Sequence, residues 1–335
     1  MNYGNLRDRP VDFSSHGEWS LCPHCRYRRL VPHDELYGRA QDCPGCSLSV
    51  GPGKWQTGAS DLILTSADVR WVCEVSWFHT SVHRVWPPAA AAAEDRAVHL
   101  GTYEAAIESM LYRMSAMAEH DQQFYLHRVE VPDISVDPAM HDDLGEALTG
   151  FVELNAVTST GYQGLRYINE EEQKGSISLA VSPRAIRSVQ SVAIPAPGLS
   201  AVVTARTTDC ARRYDADRAA AESTLLPVDR ENPLGRLDRL MGTTVSARRL
   251  RERDHRMWSA IGELFDGLSS IYVADVAPGL RERLEDAVRA TLAVGPAAGS
   301  GIAEVYRRYA GLIVRSSEVL ALVGAVPASR PTLFD

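Results

Sequence analysis

Cys22-Pro-His-Cys25 and Cys43-Pro-Gly-Cys46 are two copies of a Cys-x-x-Cys pattern, with seventeen residues between them. Each copy can offer two thiolates from one tight turn, and Zn²⁺ prefers four such ligands in a tetrahedron. The spacing leaves room for a short hairpin that turns the two copies toward each other. Because four thiolates close the coordination shell to water, the sequence predicts a structural zinc ribbon and not a catalytic metal centre.

The composition of the 335-residue chain narrows the range of partners. A net charge of -8 argues against general binding to nucleic acid, which requires a surplus of Lys and Arg on at least one face. Arg26, Arg28 and Arg29 follow the first cysteine pair and could touch phosphate, but the acidic chain favours docking to protein. No apolar stretch approaches a membrane span and no secretory signal precedes the ribbon, so we expect a cytoplasmic protein without membrane contact.

The pattern along the chain predicts three regions of a mixed α+β protein. Residues 1–60 form the ribbon, in which metal replaces an apolar core. Residues 61–200 form an α+β domain and residues 201–335 a helical bundle. The strands of the middle domain are expected at Trp71–Phe78, Phe124–Val131, Gly164–Ile168, Ser176–Val181 and Val189–Ile194.

Helical periodicity appears once in the middle domain and repeatedly after residue 200. A helix over 103–118 begins after Thr102, a good N-cap, and carries Glu104 where the helix dipole favours an acid. In the last third, apolar residues recur at helical spacing over 234–241, 250–268, 280–288 and 302–320. Cys73 and Cys210, which lie outside the paired pattern, are interpreted as reduced thiols, and Cys73 is placed on a strand.

Three segments of the middle domain place polar residues at strand ends. They are Trp77-Phe-His79-Thr80-Ser81, His99-Leu-Gly101-Thr102, and the run from Gly164 to Ser178 that reads Gly-Leu-Arg-Tyr-Ile-Asn-Glu-Glu-Glu-Gln-Lys-Gly-Ser-Ile-Ser. Taken singly, each has an ordinary structural interpretation: a satisfied histidine, an N-cap and a solvated charge run. Alternation along a strand would put Glu170 and Glu172 on one face and Glu171 on the other.

In this order the three segments resemble the ADP-ribosyltransferase superfamily, particularly its phage-associated and bacterial members. Those proteins read approximately as a strand ending in His-Gly-Thr, a His-Phe-Gly-Thr turn into a helix, and Tyr-x-Asn-Glu-x-Glu followed by Gly-Ser-x-Ser. The third segment matches best, and the resemblance covers about residues 70–195. Its matching residues are Tyr167, Asn169, Glu170, Glu172, Gly175, Ser176 and Ser178, with Pro183, Ile186 and Ser188 continuing the match.

The resemblance implies a split β-sheet domain that binds NAD⁺ in a cleft between two small sheets. His79 would hold the nicotinamide ribose and Glu172, or Glu170, would stabilise the positive charge that develops as nicotinamide leaves. The other residues implied to line the cleft are Thr80, Ser81, His99, Gly101, Thr102, Tyr103 and Tyr112, with Tyr103 or Tyr112 stacking on nicotinamide. Thr80 stands where many relatives have Gly, which would narrow the nicotinamide slot.

Three functions are consistent with these features. The first is transfer of ADP-ribose from NAD⁺ to an intracellular macromolecule, protein rather than nucleic acid, with ribbon and helices selecting the target. The second is hydrolysis of NAD⁺ with water as the acceptor, as in some bacterial toxins. The third is a non-catalytic adaptor that uses the ribbon and the helices to assemble partners. Free ADP-ribose as the only product would indicate hydrolysis, whereas a chain that does not bind NAD⁺ would favour the adaptor.

Overall fold

The computed structural model describes residues 9–14, 17–36, 38–62, 64–87, 96–132, 134–141, 153–225, 245–292 and 298–331. The fold is mixed α+β, with a cysteine cluster near the N-terminus, several sheets and a helical C-terminal third. Within those ranges, no helix combines the length and the apolar character that a bilayer crossing requires.

The N-terminal ribbon contains short antiparallel strands around the cysteines. Its elements are β1 (Glu18–Leu21), β2 (Arg28–Val31), α1 (His33–Leu36), β3 (Gln41–Asp42), β4 (Ser49–Val50) and β5 (Gln56–Thr57). The order β2-β1-β5 forms one sheet, and β3 pairs with β4 in a second hairpin. Its apolar cluster is small, with the buried Cys22, Cys43 and Val50 at its centre, as expected of a module whose interior is a metal site.

Two sheets make up the middle of the chain. Its elements are a 3₁₀ helix (Val69–Cys73), β6 (Trp77–Ser81), β7 (Val98–Leu100), α2 (Tyr103–Ala116), β8 (Phe124–Glu130), β9 (Val136–His141), α3 (Leu154–Thr158), β10 (Gly164–Ile168), β11 (Ile177–Val181), a 3₁₀ turn (Pro183–Ala185) and β12 (Ser188–Ile194). One sheet has the order β12-β8-β6 and the other β7-β11-β10-β9. Phe78 and Gly101 exchange two backbone hydrogen bonds of 2.9 Å, and this bridge joins β6 to the edge of the second sheet.

Most of the predicted strands lie within a residue of their predicted limits, but the first is wrong. The segment predicted as a strand from Trp71 to Phe78 contains the 3₁₀ helix, and β6 begins only at Trp77. The Asp68 carboxylate accepts the Arg70 backbone N–H and starts that helix. Cys73 therefore lies on the 3₁₀ helix, where its thiol contacts the Pro132 carbonyl at 3.4 Å.

Helix α2 and the C-terminal helices share one apolar core with the first sheet. The helices are α4 (Ala205–Ser223), α5 (Val245–Tyr272), α6 (Pro278–Thr291), α7 (Gly299–Val314) and α8 (Ser316–Ala325). The buried Ile107 and Leu111 of α2 belong to the same cluster as Leu268 of α5 and Leu284 of α6. Helices α4 and α5 are antiparallel, since Thr207 near the start of α4 contacts Tyr272 at the end of α5. The helical pattern over 234–241 lies outside the described residues. So do residues 88–95, which are rich in Ala.

Candidate functional site

The four cysteine sulfurs converge in the ribbon. The Sγ atoms all lie within 4.8 Å of one another, with 3.9 Å between Cys22 and Cys46 and 3.7 Å between Cys25 and Cys43. Four thiolates at about 2.3 Å from a tetrahedral Zn²⁺ would be about 3.8 Å apart. The cluster is therefore positioned to hold a metal ion and is compatible with structural zinc.

The two cysteine turns repeat one backbone conformation. Arg26 and Ser47 each follow a pair in the left-handed region, with φ of 62° and 60°. The backbone N–H groups of His24 and Gly45 donate to the sulfurs of Cys22 and Cys43 at 3.4 and 3.3 Å, which stabilises thiolate charge. A Cβ at Gly45 would lie 2.7 Å from the Tyr27 side chain, so the close packing of the turns requires glycine there. His24 is exposed.

His79 lies where β6 meets the second sheet, a junction we call the seam. Its Nδ1 is 3.0 Å from the His99 carbonyl, and its ring stacks on Trp86 with 4.5 Å between centroids. Burial, reinforced by the neighbouring His127 and Arg113, lowers the pKa of His79 well below its ordinary value. The imidazole is therefore neutral at pH 7 and can exchange hydrogen bonds without carrying charge.

His127 lies directly opposite His79 in the register of β6 and β8. Its two ring nitrogens contact Ser81 Oγ at 2.9 Å and Ser191 Oγ at 2.7 Å, and its ring also stacks on Trp86, with 5.4 Å between centroids. Burial lowers the pKa of His127 to about 3. The sequence analysis did not single out His127 or Trp86; the placement of two histidines on adjacent strands depends on a register that local patterns do not reveal.

A second line of polar contacts continues from His99 into the third segment. His99 Nδ1 lies 2.5 Å from the Tyr167 hydroxyl, and Tyr167 is directly opposite Ser178 across β10 and β11. Residues directly opposite in an antiparallel pair project from the same face, so His99, Tyr167 and Ser178 share one side of the sheet. Ser178 Oγ in turn accepts the Asn169 side-chain amide at 3.2 Å.

The glutamates lie on a turn and not on a strand, which corrects the expectation that strand alternation separates them. Strand β10 ends at Ile168 and β11 begins at Ile177. The buried Asn169 organises the turn, because its Oδ1 accepts the backbone N–H groups of Glu171 at 3.0 Å and Glu172 at 2.9 Å. Glu170 and Glu171 are exposed, and Glu172 is half-buried. Side-chain orientation here follows from the turn, so Glu170 and Glu172 need not share a face.

Helix α2 and helix α6 hold the same turn from outside. The Gln173 backbone N–H donates to Glu108 of α2 at 2.5 Å, and the Gln173 side chain bonds the Thr102 hydroxyl that also caps α2. Arg283 of α6 donates to the Glu171 carbonyl at 2.7 Å and lies 3.9 Å from Glu108. Burial raises the pKa of Glu108 in spite of these two contacts.

The ribbon also packs on this turn. The Ser60 N–H donates to the Gly175 carbonyl at 2.6 Å, and Lys174 lies 3.8 Å from Glu18. Gly175 has φ of 86°, and a Cβ there would lie 2.4 Å from the Gly58 carbonyl oxygen. Arg28, considered above for phosphate, stacks over Trp19 and donates to the Ala59 carbonyl, so it holds the end of the ribbon in place.

The remaining predicted site residues divide between the seam and the core. Ser81 contacts His127 in the seam, and Gly101 forms the bridge to Phe78. Thr80 points the other way: its hydroxyl donates to the Ala106 carbonyl of α2 at 2.9 Å, and its own carbonyl accepts Arg113 at 3.0 Å.

The structure does not bring the two candidate stacking tyrosines to the seam's histidines. Tyr103 is buried, its hydroxyl donates to the Leu312 carbonyl at 2.7 Å, and its ring packs edge-on against Phe78. Tyr112 is 44% exposed on the outer side of α2, with the Arg283 guanidinium over its ring.

Comparison with known proteins gives no relative from which to transfer a function. No protein-family model matches the chain, and neither a curated protein nor a solved structure matches it.

Proposed function

We propose that the chain cleaves NAD⁺ at the seam and transfers ADP-ribose to an intracellular macromolecule, as an enzyme of the ADP-ribosyltransferase type. Support comes from the resemblance of its three segments and from the way they meet. Residues 20 to 90 positions apart in sequence border one seam between two small sheets, the arrangement that the resemblance implies.

One observation carries the proposal. A line of hydrogen bonds and paired strand positions leads from His79 toward the glutamate turn. His79 contacts the His99 carbonyl, and the His99 ring contacts Tyr167. Tyr167 lies opposite Ser178, which accepts a hydrogen bond from Asn169 in the turn. Buried polar side chains cost free energy unless each is hydrogen-bonded. A purely structural role would therefore not require a polar residue at each of these positions. This line supports the proposal that His79 and the segment from Asn169 to Glu172 act at one site.

NAD⁺ would supply the electrophile, the anomeric carbon whose bond to nicotinamide breaks with the electron pair leaving on nicotinamide. A neutral His79 would hydrogen-bond the nicotinamide ribose without adding charge where positive charge develops. A Glu172 carboxylate, held by the Asn169 turn, would stabilise that positive charge and orient the acceptor nucleophile. The acceptor loses one proton as its bond to the anomeric carbon forms.

We propose that the cysteine cluster binds one structural Zn²⁺, which supports the site indirectly. The ribbon contacts the glutamate turn through Ser60 and Gly175, so a folded ribbon restrains the segment that carries Glu172. Four thiolates leave no coordination position for a substrate, and we assign the metal no chemical step.

The experiment combines purified protein, labelled NAD⁺ and a cell lysate. We expect label on a macromolecule, and Glu172→Gln should lower NAD⁺ turnover by roughly 10²–10³-fold, the range for removing one transition-state contact. Zinc content and the thermal unfolding midpoint should not change.

Glu171→Gln is the matched control, since Glu171 lies on the same turn and is exposed. It should retain turnover. Full activity of Glu172→Gln would contradict the assignment, and free ADP-ribose as the only product would replace transfer by hydrolysis.

A second candidate, the non-catalytic adaptor, is favoured by the stack of Trp86 on His79, which covers one face of the imidazole. Calorimetry separates the two candidates. Heat that saturates at one NAD⁺ per chain supports the enzyme. No binding of NAD⁺, together with a protein partner that copurifies in fixed ratio, supports the adaptor.

A further inference from the structure

A cavity of about 540 Å³ lies on the side of β6 where the first sheet, α2 and α8 meet. Its apolar wall includes Leu64, Val75, Phe78, Tyr103, Ile177 and Leu320. This volume is within the usual range of small-molecule sites, which combine apolar walls with a few convergent polar groups. None of His79, His99, Tyr167 and Glu172 lines the cavity, whereas Thr102 and Tyr103, which the resemblance implies for the NAD⁺ cleft, do.

Two arginines border the cavity, Arg9 from the N-terminal segment and Arg128 from β8. Arg128 is fixed by a 3.0 Å hydrogen bond to the Ser76 hydroxyl. Among the described residues, neither arginine has a carboxylate within 4.0 Å. Among the described residues that line the cavity, the one carboxylate is that of Glu104, which already accepts the Asp12 backbone N–H at 2.8 Å.

The first turn of α8 contributes further donors at the same rim. Ser316 and Ser317 line the cavity, and this ten-residue helix has no side-chain cap. The first backbone N–H groups of a helix lack partners within the helix and attract anions. Glu318 of the same turn does not line the cavity and pairs with Arg315.

We propose that this cavity binds a small amphiphilic anion, with its apolar body against Phe78, Tyr103 and Leu320 and its single acidic group at Arg128 and the start of α8. Positive charge on an otherwise apolar cavity costs free energy unless an anion compensates it. The chain as a whole has a net charge of -8, yet within the described ranges these two arginines have no carboxylate partner at the cavity. The inference does not depend on the proposed NAD⁺ chemistry.

Two fluorescent probes of similar shape test the proposal on the full chain. 8-Anilinonaphthalene-1-sulfonate carries the acidic group, and N-phenyl-1-naphthylamine lacks it. We expect the sulfonate to bind at one site per chain, and Arg128→Gln to weaken it roughly tenfold or more, as expected when one charge-assisted hydrogen bond is lost. The neutral probe should bind Arg128→Gln and the wild-type chain with similar affinity.

Arg187→Gln is the matched control, because Arg187 is exposed and lies 3.6 Å from Glu130 at the far end of β8. It should bind both probes as the wild-type chain does. Leu320→Trp should narrow the cavity and weaken binding of both probes.

Ser317→Asp adds one negative charge at the rim, and an acid in the first turn of a helix suits the helix dipole, so this variant should fold. It should weaken binding of the sulfonate alone, and it tests the proposal even if Arg128→Gln fails to fold. The proposal is overturned by sulfonate binding that none of these changes affects, by equal loss of both probes in Arg128→Gln or Ser317→Asp, or by no saturable binding.

Discussion

The ribbon and the seam both hold polar side chains in a fixed arrangement, but they do so in opposite ways. In the ribbon, four cysteines within 25 positions of one another meet at one point, and a single ion can hold them. In the seam, residues from β6, β7, β8 and β10 are held by sheet register and by hydrogen bonds between polar groups. The ribbon should therefore depend on metal, and the seam on pH and packing.

Loss of one cysteine should have the largest effect and should separate the two regions. Cys43→Ser leaves three thiolates, so we expect loss of bound zinc and unfolding of residues 17–60. Structural zinc contributes on the order of 10 kcal/mol to folding such modules. Elemental analysis and calorimetric unfolding measure both effects. Cys210→Ser, outside the cluster, should keep the metal; a Cys43→Ser chain that keeps zinc and a native ribbon would contradict the site.

Acid should act on the seam through His127. Its pKa is about 3 in the folded chain and about 6.5 in an unfolded one. Between these values the unfolded chain binds a proton that the folded chain does not, so the free energy of unfolding falls as pH is lowered through this window. The total loss is on the order of a few kcal/mol.

Urea concentrations at the unfolding midpoint, measured from pH 7 to pH 4, test this prediction. His127→Gln should make the pH dependence shallower without abolishing it, because burial lowers the pKa of His79 as well and His79 still contributes. His255→Gln, at an exposed position of α5, should not change it. All three chains carry the same cysteines, so acid release of metal cancels in the comparison. An unchanged slope in His127→Gln would assign the acid sensitivity to other groups.

The contact between the two regions should show the smallest effect. Gly175→Ala places a Cβ against the Gly58 carbonyl and strains a positive φ, whereas Gly161→Ala strains a similar φ of 79° with nothing within 4 Å. The αL penalty alone is about 1 kcal/mol. We expect Gly175→Ala to lower the free energy of unfolding by about 1 kcal/mol or more beyond the loss caused by Gly161→Ala, as measured by chemical denaturation. Equal losses would mean that the ribbon does not press on the glutamate turn.

The same comparison explains which parts of the structure the sequence predicted. The cysteine pairs and helix α2 were predicted because their signals are local. The spacing within each Cys-x-x-Cys pair indicates a metal-binding turn, and Thr102 immediately precedes the helix that it caps. The 3₁₀ helix at Val69–Cys73 was missed because an apolar run of four to eight residues does not distinguish it from a strand. The glutamates were placed on a strand for the same reason, although Asn169 ends β10 by capping the turn.

The seam was predicted only in outline, since its composition depends on sheet register. Nothing local to His127 indicates that it lies opposite His79, nor that Trp86 stacks on both rings. Tyr103 was wrongly expected to be available to a ligand because it lies next to a helix cap. In the structure the C-terminal helices cover it, and its hydroxyl donates to the Leu312 carbonyl.

A double-mutant cycle on NAD⁺ cleavage tests most directly whether His79 and the glutamate turn form one site. Single-turnover rates would be measured for the wild-type chain, His79→Ala, Glu172→Gln and the double variant. Groups that act as a unit are strongly non-additive, so we expect the double variant to lose little more than the worse single variant. The account would be contradicted if the double variant lost the product of the two single-variant losses. It would also be contradicted if the double variant cleaved NAD⁺ at the wild-type rate.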